Sequence, residues 1–462
     1  MPELTLLHWI YLAVVCSVIG LMIFRRDVVL PCLIGIFIIG YLWNGSLIGG
    51  GQTVFKALEA AGTSLFDIML VISLMVGMLK SLQSMGADYL MVSPAKKLMS
   101  KPAVAYWSLA GVMFLAATFF WPTPAVALVG TILIPVAIAA GLSPMAAAVA
   151  LNLGGHGTAL SADVVLQGAP NITARAADVD VALIVSKGAL FGYVTGITAL
   201  IVAFILLRKD IFSGKPQKND LLAQEVPKAA PWYAKAFAIF VPIIFFSIVA
   251  TMIRSNMNEA IPNIQGGDAT SLLGGAAAII MIIASVVHHK GAAFEKVVGF
   301  LREGFMFAIK IFAPVIPIAG FFFLGSPSDA AAILGEGAPG FMFDLGTALA
   351  TSIPLGTVPL AFGIVLVGLM TGLDGSGFSG LPLVGSLAAS LGGPTGVDVS
   401  TLAALGQVAA IWAGGGTLTA WAFGVVADAG IAGVKPMDLV RQNFIAVMSG
   451  LFVATILAIF MM

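Results

Sequence analysis

The chain has 462 residues, 60% of them hydrophobic and only 10% charged, and its mean hydropathy is +1.06. Soluble domains run at about 45–50% apolar and about 25% charged, so a soluble enzyme and a disordered chain are both excluded. The 22 basic and 22 acidic residues cancel, which leaves no charge excess to hold a nucleic acid.

A helical span takes about 20 residues, so there is room for roughly ten to fourteen membrane elements. The first apolar segment, 5–24, follows a start without a basic region and reads as a retained helix, not a cleaved signal peptide. Segments 28–43 and 63–83 follow. Cys16 and Cys32 lie in apolar surroundings, and their placement suggests no disulfide framework. Segment 102–140 is too long for one span and is interrupted by FFWPTPA at 119–125. Proline removes a backbone donor and glycine loosens a helix, so a helical hairpin is expected with its tip there; two spans joined by a turn have the same topology. A broken span over 143–165, containing LNLGGHGTALSAD, and a last span, 181–207, complete a first half, 1–207.

The longest charged stretch begins at Arg208, and 208–234 reads as a linker. The second half, 235–462, has apolar segments 235–253, 270–287 and 305–325. It continues with a hairpin over 345–393 around GLDGSGFSG, a broken span over 398–423 around IWAGGGTLTAW, and a final span, 438–461. With the N-terminus outside, 16 of the 22 basic residues fall on the cytoplasmic side, Arg25, Lys96 and Lys209 among them; only Lys56, Arg175 and Arg254 fall in outside loops. The positive-inside rule asks for this bias, so a multi-pass protein of the inner (plasma) membrane is expected, with linker 208–234 cytoplasmic. Each half then has three spans, a hairpin, a broken span and a final span, one half beginning outside and the other inside. The expected fold is an all-α polytopic membrane protein of two inverted-topology repeats.

The interruptions carry the candidate chemistry. Non-helical backbone in mid-membrane is tolerated when buried in protein or lining a cavity, although glycine runs also serve close helix packing. Unwound carbonyls suit Na⁺, and half-helix N-termini suit a carboxylate. For the substrate, the candidate residues are Thr123, Asn152, His156, Thr158, Ser376, Ser379, Thr417 and Thr419. For a cation they are Thr123, Asn152, Gly155, Asp374, Ser376 and Gly415. The hydroxyls can ligate or donate, or can bond their own helix four residues back. Asp374 is an intramembrane carboxylate able to bind Na⁺ or carry a proton, or a helix cap at a wet tip. His156 is a possible proton relay or donor, or a structural histidine. Lys187 and Lys310 fall inside spans, as counter-charges or as snorkelling cations. Trp121 and Phe378 either line a pocket or anchor the tips.

With hairpins and Gly/Ser/Thr breaks in both halves, the chain resembles the ion-transporter superfamily. That group includes sodium-coupled dicarboxylate symporters, citrate and gluconate permeases, large permease subunits of the TRAP type and some sodium/proton antiporters. The resemblance implies Na⁺ and a carboxylate at the tips and breaks, elevator-type movement, and a homodimer. There is no Walker A pattern, GxSxG elbow or paired Cys/His spacing, so no enzyme and no cofactor beyond Na⁺ ions are expected. The expected partners are a small organic anion, Na⁺ or H⁺, and the lipid bilayer. The expected activity is cation-coupled symport of an organic anion such as a carboxylate. Na⁺ is preferred to H⁺ because neutral oxygen ligands outnumber titratable groups at the motifs. The alternative is a sodium/proton antiporter that titrates Asp374.

Overall fold

The computed structural model describes all residues except 1–2, 24–25, 209–230, 258–266, 353–355, 376 and 421. The described residues are helical throughout, with no strand. In a bilayer every backbone N–H and C=O has to be paired internally, and a helix does this within one segment.

The first half opens with α1 (Leu6–Ile23), α2 (Val29–Asn44) and α3 (Leu47–Ser84). α3 is bent by 44° between Asp67 and Met69 and runs well beyond the 63–83 expected for it. After the short α4 (Ala87–Val92), α5 (Pro102–Phe120) and α6 (Pro122–Ala139) pack together as the first hairpin. Its tip is the single residue Trp121, at φ 69°. α7 (Pro144–Asn152) runs into the first break, a π-helical turn over Leu153–Ala159. α8 (Gly168–Ala177) and α9 (Val181–Leu206) end this half.

The second half begins with α10 (Trp232–Met257), α11 (Gly267–His289), α12 (Ala293–Phe312) and α13 (Val315–Phe323). α14 (Pro327–Leu334) turns back from α13 by 103°. The second hairpin is shorter than the expected 345–393. Its arms are α16 (Thr357–Thr371) and α17 (Leu381–Thr395), and the residues before them form a separate helix, α15 (Phe341–Ser352), packed on α17. α18 (Val399–Trp412) enters the second break, Ala413–Thr417. α19 (Phe423–Ala432) and α20 (Pro436–Met461) close the chain. Each half thus carries a short helix after its break, α8 and α19, that the three-span plan lacked.

Two layers emerge from the packing. α3 lies against α2, α11, α12 and α13, forming one layer. The hairpins, the breaks, α9 and α20 form the other, with α9 and α20 packed together and the two breaks touching. A Cβ at Gly450 of α20 would lie 2.4 Å from the Thr195 carbonyl of α9, so the final spans cross at a distance only glycine permits. Outward faces are apolar: Ile239, Phe240, Ile243, Ile279 and Ile283 are exposed on α10 and α11, as lipid contact requires.

Candidate functional site

Both breaks begin as a widened helical turn, and in both a threonine hydroxyl closes it. Thr158 Oγ1 donates to Leu153 O at 2.7 Å, and Thr417 Oγ1 donates to Trp412 O, each five residues back. These hydroxyl protons are therefore spent on their own helix, one residue further back than the expected four-residue pattern. The first break stays wound: Leu160 N donates to the carbonyls of Gly155 and Gly157. Its carbonyls are not the free row of ligands expected for Na⁺. The second break does come apart. Gly416 sits at φ 122°, ψ 39°, a conformation that a residue with a Cβ avoids.

The glycines are explained by interlocking. A Cβ at Gly157 would lie 2.4 Å from the Trp412 ring, and one at Gly415 would lie 2.7 Å from the Leu160 side chain. Gly155 faces Met113 in the same way. Each break is thus seated in the other, and close approach accounts for a glycine at 155 and at 415.

At this crossing lies a polar cluster of which each charged or amide member is fully buried. Asp428 of α19 accepts at Oδ2 from Asn152 Nδ2 at 2.6 Å, and lies 2.9 Å from His156 Nδ1. Asn152 Nδ2 also donates to Gly416 O at 2.5 Å. Asn443 of α20 donates to Asn152 Oδ1 at 2.7 Å and to Thr417 O at 3.1 Å. Thr123, on the first turn after the hairpin tip, lies 3.5 Å from His156 Nε2. Gly424 leaves room for the imidazole, since a Cβ there would lie 2.7 Å from its ring carbons. Five elements are tied together: α6, α7 with its break, the second break, α19 and α20.

The tips close over the same region. The Trp121 and Phe378 rings are 5.5 Å apart, so these aromatics join the two hairpins to each other. Thr419 Oγ1 donates to Gly372 O at 3.4 Å, which ties the second break to its tip. Ser379 is buried at that tip. Asp374 ends the short turn Gly372–Asp374, which packs on the second break, and Ser376 lies outside the described residues. Of the expected residues, the structure therefore brings Thr123, Asn152, His156 and Thr417 together.

Two members of the cluster, Asp428 and Asn443, were not among the expected residues. Asp428 falls after the expected end of the broken span at 423, yet a single carboxylate inside FGVVADAGIA was signal enough. Asn443 has no comparable mark in the sequence.

The lysine expected to snorkel is instead paired. Lys187 of α9 bonds to Asp398, the residue capping α18, and to Ser400 at 2.7 Å. Burial pushes the Asp398 carboxyl up, but hydrogen bonds from Lys187, Thr401 and Ser400 and the Lys187 charge outweigh it and hold it at about 2. A polar cleft of about 890 Å³ lies between α3, α8 and α14, lined in part by Lys56, Asp67, Arg175 and Asp329. Arg175 donates to Asp329 at 3.1 Å across it. No group of three metal-ligating His, Cys, Asp or Glu residues occurs among the described residues.

No family model matches the chain. The membrane protein YhfA of Bacillus subtilis (strain 168) is 38% identical over 471 residues, covering 98% of each chain. Among solved structures, the fold is similar to the YdaH transporter of Alcanivorax borkumensis, with a TM-score of 0.58 at 15% identity over 89% of this chain and 88% of that one. It is also similar to MtrF of Neisseria gonorrhoeae, from a class of antimetabolite efflux pumps, with a TM-score of 0.57 at 13% identity over 89% and 84%. These likenesses carry the fold, that of an all-α polytopic membrane protein. The relative is a membrane protein and the neighbours are a transporter and an efflux pump; none is an enzyme.

Proposed function

The chain belongs to the family of the Bacillus subtilis membrane protein YhfA, and we propose that it is a secondary active transporter coupling a cation, Na⁺, to the movement of a small organic anion. The observation that carries this reading is the meeting of two broken helices at one dry His156–Asp428 pair. A buried carboxylate is costly to keep in the membrane, and an intramembrane carboxylate marks a pathway by default. The paired hairpins and breaks are also the ground for placing the chain beside the ion-transporter superfamily. In that setting the hairpin layer moves as an elevator against the layer around α3, within a homodimer.

Electrostatics supplies the coupling. At an effective dielectric of about 20, like charges about 6 Å apart repel by about 3 kcal/mol. A cation held at Asp428 removes that repulsion and favours the anion by roughly 100-fold. Binding of each then favours binding of the other. For the anion itself the site offers neutral donors. Trp121 Nε1 and Trp412 Nε1 are buried without a hydrogen-bond partner among the described residues. The cleft beside Arg175 is the approach from outside.

The test is purified protein in vesicles with a pH-sensitive dye inside, an imposed Na⁺ gradient and a clamped membrane potential. Without organic solute the dye stays silent, and a panel of labelled carboxylates then yields Na⁺-dependent uptake. Protein-dependent proton movement driven by Na⁺ alone would overturn symport and favour the antiporter, with Asp374 as the next residue to change. Absence of uptake across the panel would overturn the anion reading.

A further inference from the structure

The Asp428 cluster has more acceptors than donors. Asn152 is fully engaged: both protons of Nδ2 are given, to Gly416 O and Asp428 Oδ2, and its Oδ1 accepts from Asn443. Asp428 Oδ2 is met by Asn152 and His156. That leaves two oxygens, Asp428 Oδ1 and Asn443 Oδ1, with no hydrogen-bond partner among the described residues. Both side chains are 0% exposed. An unsatisfied buried acceptor costs about 1–3 kcal/mol, and more when charged, so two in one cluster call for an explanation.

We infer that Asp428 Oδ1 and Asn443 Oδ1 are two of the ligands of a bound Na⁺ ion, an assignment that rests on the transport reading and gives its cation a place. The chemistry fits a hard cation: one carboxylate oxygen and one amide oxygen, with no sulfur or nitrogen ligand needed. No lysine or arginine lies on α6, α7, α18 or α19, and the one on α20, Arg441, is exposed and paired with Asp438, so the basic group that meets Asp428 is the His156 imidazole. The position differs from the expected one. It lies past the unwound Gly416–Thr417 turn, on α19 and α20, and not at the hairpin tips. Asn443 Nδ2 and Asn152 Nδ2 hold the carbonyls of that turn, so an ion seated here is linked through the two amides to the strained backbone of the second break.

The experiment is binding of ²²Na⁺ to the purified full-length protein in detergent at a fixed pH of about 7.5, with choline, K⁺ or Li⁺ as competitor. Saturable binding that K⁺ does not displace is expected. Asp428→Asn and Asn443→Ala each weaken it by at least about 10-fold, whereas Asn443→Gln, which keeps an amide oxygen and an N–H donor, retains more of the binding than Asn443→Ala. If Asn443→Ala fails to fold, the Asn443→Gln and Asp428→Asn pair still decides the matter. Absence of saturable Na⁺ binding to the wild type would overturn the inference, as it would if a proton alone served Asp428. So would wild-type affinity in Asp428→Asn. Lost binding with intact Na⁺-driven uptake moves the ion elsewhere and leaves the transport reading standing. Intact binding without uptake of any anion does the reverse.

Discussion

The two breaks share a backbone solution and differ in everything that carries charge. Each widens a helical turn and closes it with a threonine hydroxyl on the carbonyl five residues back. The first then stays wound and carries the side chains, Asn152 and His156. The second unwinds at Gly416 and carries none; its carboxylate comes from the next helix, Asp428 of α19. Repetition thus built the frame, and asymmetry within it made a single site in place of two. The His156–Asp428 contact exists only because the frame brings residues 272 positions apart together.

That contrast is open to attack at several strengths. The largest effect is expected from His156→Leu, which removes one of the two partners of the buried Asp428 Oδ2, at about 3 kcal/mol. The double change His156→Leu/Asp428→Leu should recover most of it in equilibrium unfolding in mixed micelles. If the double change is as unstable as the single, the two side chains do not depend on each other. Next comes the unwound turn. Gly416→Ala forces a Cβ into the left-handed region, 2.6 Å from Gly424 Cα, for about 1–3 kcal/mol. Gly155→Ala in the first break meets the flexible Met113 side chain and should lose about 1 kcal/mol or less. Equal losses would mean the two breaks are strained alike.

Smaller again are the shared closures. Thr158→Val and Thr417→Val should each lose about 1 kcal/mol, in similar amount. A large difference between them would deny the common backbone solution. The smallest effect belongs to the Lys187–Asp398 pair. The Asp398 carboxyl is held at about 2, below its ordinary value of 3.8. Its contribution is therefore present above about pH 4 and lost as pH falls through 2. Asp398 is 39% exposed, so solvent screening keeps the effect modest. Asp398→Asn should lower the melting temperature by about 1–2 °C at pH 7, less at high salt, and not at all near pH 2.

Much of the frame was legible in the sequence, because Gly and Pro interruptions stand out against long apolar runs. The Trp121 tip and both Gly-Gly breaks fall within the expected stretches. The separate helix Phe341–Ser352 was not separated from the expected hairpin, because the stretch 345–393 carries several Gly and Pro positions and Pro354 and Gly356, which follow this helix, were one break among them. Asn152 and His156 were found from their place in the first break. Asp428 lies beyond the expected end of the broken span at 423, in a stretch that the apolar pattern alone assigns to a loop before 438–461. Asn443 could not be found: an amide in a span becomes part of a cluster only through Asn152, 291 residues away.

The most direct test is Na⁺-gradient-driven uptake of an organic anion by reconstituted Asp428→Asn beside Lys187→Met. The account predicts that Asp428→Asn, folded and correctly inserted, loses uptake by about 100-fold or more, while Lys187→Met stays within a few-fold of the wild type. Uptake by Asp428→Asn at the wild-type rate would contradict it, because the carboxylate at the crossing of the two breaks would then have no part in transport.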